Sequence, residues 1–250
     1  DVNIVDEAED YSRLPEFQLK DYLVSKKEQL ASMKKDVKTK KQDFKPQELI
    51  ILMDSIVLVE RDGEQFEDDE NFPNSAVWAD GIGFGGNYNE YDNQYKAKRD
   101  AQLLEQQERE VLLVHALEFF VSAIPTTSEK EQKKTRRTFN RSQIRKTLAE
   151  YLVNDSMLDI TKHSLFYWHS WKFLISLSSL PDLQGCIFRG GFYSQMEKLI
   201  KVAESYKKRI ENFPNETAPG IQLVTAILDS KKELKRQYSI YKEKKQQNPS

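Results

Sequence analysis

Four of the nine glycines in this 250-residue chain lie in one stretch, "WADGIGFGGNYNEYDNQ", residues 78–94. They fit the Gly-x-Gly-x-x-Gly pattern of loops that bind dinucleotide phosphates. Such a loop needs a β-strand before it and a helix that opens at its third glycine. Here "NFPNSAVWAD" precedes the glycines and "NYNEYDNQ" follows them, so neither element is expected. We therefore predict no nucleotide site and no cofactor.

The same stretch is better interpreted as an irregular loop that its aromatic side chains hold in place. Glycine permits the positive φ angles that such a loop needs. Trp78, Phe84, Tyr88 and Tyr91 are large enough to anchor it on neighbouring helices. A surface that binds a partner is the alternative, and it makes Tyr88 and Tyr91 candidate interface residues.

The three histidines and the single cysteine are the other residues that could do chemistry. His163 and His169 are six positions apart and do not share a helical face, and no His-x-x-x-His pair exists. His115 lies in an apolar helical segment, where we expect a core or boundary position. Cys186 has apolar neighbours and should be an inert, half-buried thiol. We predict no metal site and no catalytic residue in this chain.

A dense aromatic cluster, "YWHSWKF", occupies residues 167–173. Trp168 and Trp171 are three positions apart and share a face on a helix. Core packing is the default for such residues, and an interface is the alternative. Both tryptophans are therefore candidate interface residues.

The composition narrows the classes of partner. Lysine plus arginine total 38 and aspartate plus glutamate total 40, a net charge of -2, so we expect no nucleic acid and no membrane as partner. No apolar run approaches the roughly 20 residues that span a bilayer. One cysteine excludes an internal disulfide and predicts a reducing compartment, the cytoplasm, with the nucleus as the alternative. A protein partner, in a dimer or a hetero-complex, is the expectation that remains.

Apolar residues at helical spacing dominate the chain and must position these groups. Helices are predicted from residue 16 to about 41, from Pro46 through "IVLV" (with a strand as the alternative for these four residues), from Asp92 as N-cap to 124, from 141 to 154 after Asn140 as N-cap, from Ser164 to 180, from 192 to 213 and from 219 to 247. "MLDITK" is predicted as a short turn capped by Asp155 or Ser156, and "PTTSEKEQKKTRRTFN", residues 125–140, as a basic surface loop.

These elements predict an all-α fold of about seven helices, either an irregular bundle or stacked helix pairs of the armadillo kind, with one long loop. We divide the chain into N-terminal helices (1–60), an acidic and Gly/aromatic-rich loop (61–91), a main helical domain (92–245) and a disordered tail (246–250).

Several segments together are similar to one known family. "WADGIGFGG" followed by "KAKRDAQLLEQQEREVLLVHAL" resembles a segment of the giant inhibitor-of-apoptosis-type ubiquitin-conjugating enzymes, the BRUCE/apollon family. "YLVNDSMLDITKHSLFYWHSWKFLISLSS" resembles that family's Tyr-Leu-x-Asn-Asp-Ser-x-Leu-Asp segment. "MEKLIKVAESYKKRIENF" and "IQLVTAILDSKKELKRQYSIYKEKK" resemble the two helices before its catalytic domain. The likeness covers about residues 76–248, and its motif residues are Trp78, Ala79, Gly81, Gly83, Phe84, Gly85, Tyr151, Leu152, Asn154, Asp155, Ser156, Leu158 and Asp159.

In that family the helical segment lies just before a ubiquitin-conjugating domain that carries the catalytic cysteine. The present sequence stops where that domain would begin, and it lacks the clustered Cys and His of an inhibitor-of-apoptosis repeat. The resemblance therefore implies a non-catalytic scaffold that positions the conjugating domain and binds a substrate or partner in protein ubiquitination. A stand-alone helical adaptor without a catalytic domain is the alternative.

Overall fold

The computed structural model describes residues 13–14, 16–39, 44–58, 60–61, 88–154, 156–189, 191–212 and 220–247. For residues 13–14, 16–19, 60–61, 88–103, 158 and 159 the description covers the backbone alone. The predicted glycine-rich loop, apart from residues 88–91 and the strand residue 61, lies outside the described residues.

The described part of the chain contains ten α-helices. They are α1 Glu16–Lys38, α2 Pro46–Val57, α3 Tyr88–Ala123, α4 Glu129–Arg141, α5 Gln143–Val153, α6 Met157–Lys162, α7 Ser164–Ser179, α8 Gln184–Phe188, α9 Phe192–Asn212 and α10 Ile221–Gln247. A turn of 3-10 helix, Ile124–Thr126, follows α3, and two short strands, β1 Arg13–Leu14 and β2 Glu60–Arg61, pair in parallel. The all-α prediction is confirmed, and α4, α6 and α8 are the helices beyond the seven predicted.

Helix α7 is buried on most of its surface because it packs against α3, α8 and α10. Phe173 of α7 meets Phe120 of α3 with the ring centroids 4.7 Å apart, and both side chains are fully buried. Such edge-to-face contacts add to the free energy gained by burying the rings. Neither α7 nor any other helix in the described ranges is long and apolar enough to cross a membrane.

Helix α2 joins the N-terminal region to the rest of the core. It packs against α1, α3, α4 and α5, and Ile50, Met53 and Ile56 on it are fully buried. Tyr22 of α1 donates a hydrogen bond from its hydroxyl to the carbonyl of Ser55 at 2.8 Å. The helices before residue 60 and those after residue 92 therefore share one hydrophobic core.

The surface loop predicted for residues 125–140 is wrong, because this segment forms α4. Ser128 caps the helix by accepting a hydrogen bond from the backbone N–H of Glu131, which stands at the Ser-x-x-Glu spacing of a helix start. The buried face consists of Gln132, Thr135 and Phe139, spaced three and four apart, and it helps α4 to pack against α2. Two of these three side chains are polar, so the buried face cannot be recognised from the spacing of hydrophobic residues in the sequence.

Three predicted boundaries also differ from the structure. Helix α3 begins at Tyr88, so Asp92 lies inside it and residues 88–91 are helical. Ser142 caps α5, whereas Asn140 is part of α4. Helix α10 continues to Gln247, so the first two residues of the predicted tail are helical.

Candidate protein-binding groove

The first turns of α7 and α10 border a surface groove with a volume of about 510 Å³. It is termed the Trp168 groove, and it is lined by Ser164, Leu165, Trp168, Gly220, Ile221, Gln222 and Leu223. The two helices pack against each other although they are far apart in the sequence. The groove therefore exists only in the folded chain.

Both walls of the groove expose large apolar side chains. Leu165 on α7 is 57% exposed and Ile221 on α10 is 40% exposed, whereas Leu223 is buried. Trp168 is half-buried, so part of its ring faces the groove. Exposed apolar residues that occur singly are ordinary, but two of them beside a tryptophan form a patch of the kind that protein partners cover.

Gly220 fixes the position of the wall formed by α10. Its φ angle is +75°, a left-handed conformation that glycine adopts without strain. A Cβ atom at this position would lie 2.6 Å from Cγ2 of Thr161 in α6. The missing side chain thus allows the start of α10 to approach α6 closely.

Trp171 is not available as an interface anchor, contrary to one of the two predictions for this cluster. It is only 3% exposed, and its Nε1 donates a hydrogen bond to Oγ of Ser230 on α10 at 2.7 Å. The two tryptophans share a helical side, but α10 covers Trp171 and leaves part of Trp168 open. Of this pair, only Trp168 remains a candidate.

A polar cluster next to the groove fixes the beginning of α7. His163, the residue before α7, donates from Nδ1 to the carboxylate of Glu110 on α3, at 2.8 Å from Oε1. Tyr151 of α5 donates its hydroxyl to the same oxygen at 3.2 Å, and Tyr167 donates to the carbonyl of Tyr151 at 2.9 Å. Three helices are thereby tied together where α7 starts.

The phenol of Tyr151 remains protonated in this cluster. Burial, and after it the negative charge of Glu110, raises the pKa of Tyr151 well above its ordinary value. The Tyr151 ring packs against Phe166 and Tyr167, with centroids 4.6 Å and 5.4 Å away. The cluster therefore combines hydrogen bonding with aromatic packing and should be rigid.

The motif residues of the family resemblance fall into three groups. Leu152 is buried, and Asn154 accepts a hydrogen bond from the backbone N–H of Ser156 at 2.9 Å, just before α6. Leu158 and Asp159 lie in α6, where the structure describes only their backbone. The candidate interface residues Tyr88 and Tyr91, which do not belong to the motif, lie in α3 and are likewise described by their backbone alone. The remaining motif residues, Trp78, Ala79, Gly81, Gly83, Phe84, Gly85 and Asp155, lie outside the described residues.

The histidines and the cysteine differ in part from their predictions. His115 is exposed on α3, because the apolar neighbours in its segment point to the other side of the helix. His169 is half-buried, and burial lowers its pKa. Cys186 is 1% exposed rather than half-buried, and burial raises the pKa of its thiol to about 12. Among the residues that the structure describes, no three His, Cys, Asp or Glu side chains are grouped to hold a metal ion.

Comparison with known proteins yields no relative. The chain matches no family model, no curated protein and no solved structure. The BRUCE-like relationship therefore stays a prediction from the sequence motifs.

Sequence reasoning identified Trp168 but missed its partners in the groove. Leu165 and Ile221 are apolar residues in the first turns of their helices, where periodicity assigns them to no clear face. Gly220 directly follows Pro219 and was counted as part of a helix start. The groove arises from the contact between α7 and α10, and no local pattern in the sequence predicts that contact.

Proposed function

We propose that this chain is a non-catalytic helical scaffold that binds a partner protein through the Trp168 groove. The observation that carries the proposal is the exposure of Leu165 and Ile221 on the two sides of Trp168. Tryptophan is enriched among the residues that dominate interface energies, because it buries a large rigid area. Surrounding apolar residues strengthen such an anchor by excluding water from it.

The rigid support of the groove favours the same function. Glu110 holds His163 at the beginning of α7, and the contact between Gly220 and Thr161 sets the beginning of α10. A groove whose walls are already ordered loses less conformational entropy when a partner binds.

A role in protein ubiquitination is part of the proposal, and the sequence motifs alone support it. In this role the scaffold would position a ubiquitin-conjugating domain and hold a substrate or partner protein. The sequence of the complete gene product beyond residue 250 tests this part. A conjugating domain with an active-site cysteine would support it, and its absence would leave the stand-alone adaptor.

The binding role is tested by affinity capture with matched variants of the whole chain. Leu165→Glu and Ile221→Glu place a charge on each wall of the groove. Val153→Glu is the control, because Val153 is 64% exposed at the end of α5 and does not line the groove. Circular dichroism establishes that all three variants are folded.

The expected result is a protein retained by the wild type and by Val153→Glu and lost with both groove variants. Titration calorimetry with that purified protein should then show at least about a tenfold weaker affinity for each groove variant. Equal affinities for the groove variants and the control would show that the Trp168 groove is not the binding site.

A further inference from the structure

The electrostatics of the Trp168 groove indicate the chemistry of its occupant, given that the groove binds a partner as proposed above. None of the seven lining residues carries an ionisable side chain. Lys172, one turn beyond Trp168 on α7, is exposed and holds its Nζ 4.4 Å from the centroid of the Trp168 ring. The groove lining is therefore uncharged, with large apolar side chains beside the polar Ser164 and Gln222, and a positive charge lies over its tryptophan ring.

The backbone adds positive potential in the same place. Helices α7 and α10 both begin at the groove, and neither first turn contains an acidic residue. The N–H groups of a first turn carry a partial positive charge that favours nearby anions. Glu110 lies beside His163, but its carboxylate is already engaged by His163 and Tyr151 and is only 17% exposed.

We propose that the Trp168 groove binds an acidic peptide segment of the partner, in which an apolar side chain stands next to carboxylate side chains. The apolar side chain packs between Leu165, Trp168 and Ile221. The adjacent carboxylates lie beside Lys172 and the two helix starts. A volume of about 510 Å³ suits a few side chains, since binding pockets for small ligands span about 300–1,000 Å³.

An acidic peptide fits these features better than a nucleic acid does. Nucleic-acid binding depends on several cations that contact successive phosphates. Among the described residues, Lys172 alone is placed over Trp168, and the uncharged lining owes much of its surface to large apolar side chains, so a polyanion without apolar groups would gain little from it.

Fluorine NMR of the whole chain labelled with 5-fluorotryptophan tests the proposal directly. The chain has three tryptophans, whose resonances are assigned with the single variants Trp78→Phe, Trp168→Phe and Trp171→Phe. Trp168 reports on the groove, and buried Trp171, bonded to Ser230, reports on the core. Three blocked peptides serve as probes: Glu-Glu-Leu-Phe-Glu-Glu, Lys-Lys-Leu-Phe-Lys-Lys and Glu-Glu-Ser-Gly-Glu-Glu.

The first peptide should shift the Trp168 resonance and leave that of Trp171 unchanged. Its affinity should exceed that of the lysine peptide by at least about fivefold, and added salt should reduce the difference. The Ser-Gly peptide should bind more weakly because it lacks the apolar side chains. Equal binding of the acidic and basic peptides, or of the two acidic peptides, would overturn the proposal, and the latter result would indicate a general polyanion site.

Two variants separate this inference from the proposed function. Leu165→Glu should remove the Trp168 response to every peptide. Lys172→Glu should reverse the preference in favour of the lysine peptide, since Lys172 is exposed and its replacement leaves the core intact. A captured partner that Leu165→Glu loses, together with no charge preference among the peptides, would leave the function standing and refute the acidic ligand. A partner unaffected by Leu165→Glu would refute the function itself.

Discussion

The beginning of α10 meets α6 at Gly220 and Thr161, and the contact leaves no room for a side chain on residue 220. A Cβ atom there would lie 2.6 Å from Cγ2 of Thr161, whereas carbon atoms pack best at about 3.5–4.0 Å. The φ angle of +75° favours glycine independently of this contact. Sterics and backbone conformation therefore both depend on the same residue.

Replacement of Gly220 by alanine should lower the free energy of unfolding by about 2–4 kcal/mol, through left-handed strain and the clash with Thr161. Gly191→Ala is the matched control, because Gly191 has a φ angle of +85° but a Cβ there would meet no atom within 4 Å. It should cost only about 1–2 kcal/mol. Urea denaturation measures both variants.

A double variant combines Gly220→Ala with Thr161→Ser, which removes the Cγ2 atom of residue 161 and keeps its hydroxyl. It should recover part of the stability that Gly220→Ala loses. If Gly220→Ala and Gly191→Ala lost equal stability, and Thr161→Ser recovered none of it, the contact with Thr161 would contribute nothing to the free energy of unfolding.

The two neighbouring tryptophans should separate stability from binding. Trp171→Phe removes the Nε1–H that bonds to Ser230 and opens a small cavity, so it should cost about 1–3 kcal/mol. Trp168→Phe should change stability by less than about 1 kcal/mol, because Trp168 is half-buried. Denaturation curves measure the stability of both variants, and the affinity of Trp168→Phe for the partner is measured beside them. A larger loss of stability for Trp168→Phe than for Trp171→Phe would contradict the prediction.

Asp54 on α2 caps the start of α5 from another part of the sequence. Its Oδ1 accepts a hydrogen bond from the backbone N–H of Ile144 at 2.8 Å. Asp54→Ala removes this acceptor and should cost about 0.5–2 kcal/mol, the usual range for a helix cap. Asp54→Asn keeps a side-chain oxygen and should cost less. An alanine variant as stable as the wild type would show that the bond contributes nothing.

The same carboxylate should make stability depend on pH. Burial raises the pKa of Asp54 above its ordinary value of 3.8, although the N–H groups of Ile144 and Gln143 oppose the shift. A raised pKa means that the folded protein binds the proton more tightly, so this contribution is complete below 3.8 and is lost as the pH rises through the folded value. As the pH rises from acid to neutral, the free energy of unfolding of the wild type should therefore fall relative to that of Asp54→Asn. A difference between the two that stays constant with pH would contradict the raised pKa of Asp54.

Phe139 tests the packing of α4. Its ring is fully buried, with Phe173 and Phe192 at centroid distances of 5.6 Å and 6.3 Å. Phe139→Ala should cost about 3–5 kcal/mol, as large-to-small changes in a core do. Lys133→Ala on the exposed side of α4 should change stability by less than about 0.5 kcal/mol. If Phe139→Ala and Lys133→Ala changed the thermal unfolding equally little, the result would favour the surface loop that the sequence predicted for this segment.

Cys186 should be an internal reporter of unfolding. Burial raises the pKa of its thiol to about 12, so the reactive thiolate is scarce and the sulfur is also shielded. The folded protein should react slowly with a thiol reagent at about pH 8 and the urea-unfolded chain quickly. Fast reaction of the folded protein would show that Cys186 is accessible.

The all-α fold could be predicted because most helices carry a regular apolar stripe. Helix α4 was missed since Gln132 and Thr135 occupy two positions of its buried face, and burial of polar side chains is set by the neighbouring helix rather than by local pattern. His115 was assigned to a core or boundary position because its segment is apolar, but the spacing of the apolar residues there did not show which side of the helix it occupies. The start of α3 was placed four residues late because Asp92 resembles an N-cap.

The candidate site could be predicted only in part. Trp168 was named, but spacing could not separate it from Trp171, since both lie on one side of α7. Which of them stays exposed depends on how far α10 extends across α7. That in turn depends on Gly220, whose contact with Thr161 joins segments far apart in the chain.

The position of α2 limits which fragments of this chain could fold by themselves and which helices a related protein must contain. Residues 76–248, for which the sequence motifs predict a relation to the BRUCE/apollon family, do not include α2, yet α2 packs against α3, α4 and α5. A polypeptide with that segment alone would uncover the faces of α3, α4 and α5 that pack against α2, and it would leave the N–H of Ile144 without its carboxylate acceptor. Any homologue that keeps these helices must therefore supply an equivalent of α2, from its own chain or from a bound one, and a fragment intended to fold by itself has to begin before Pro46.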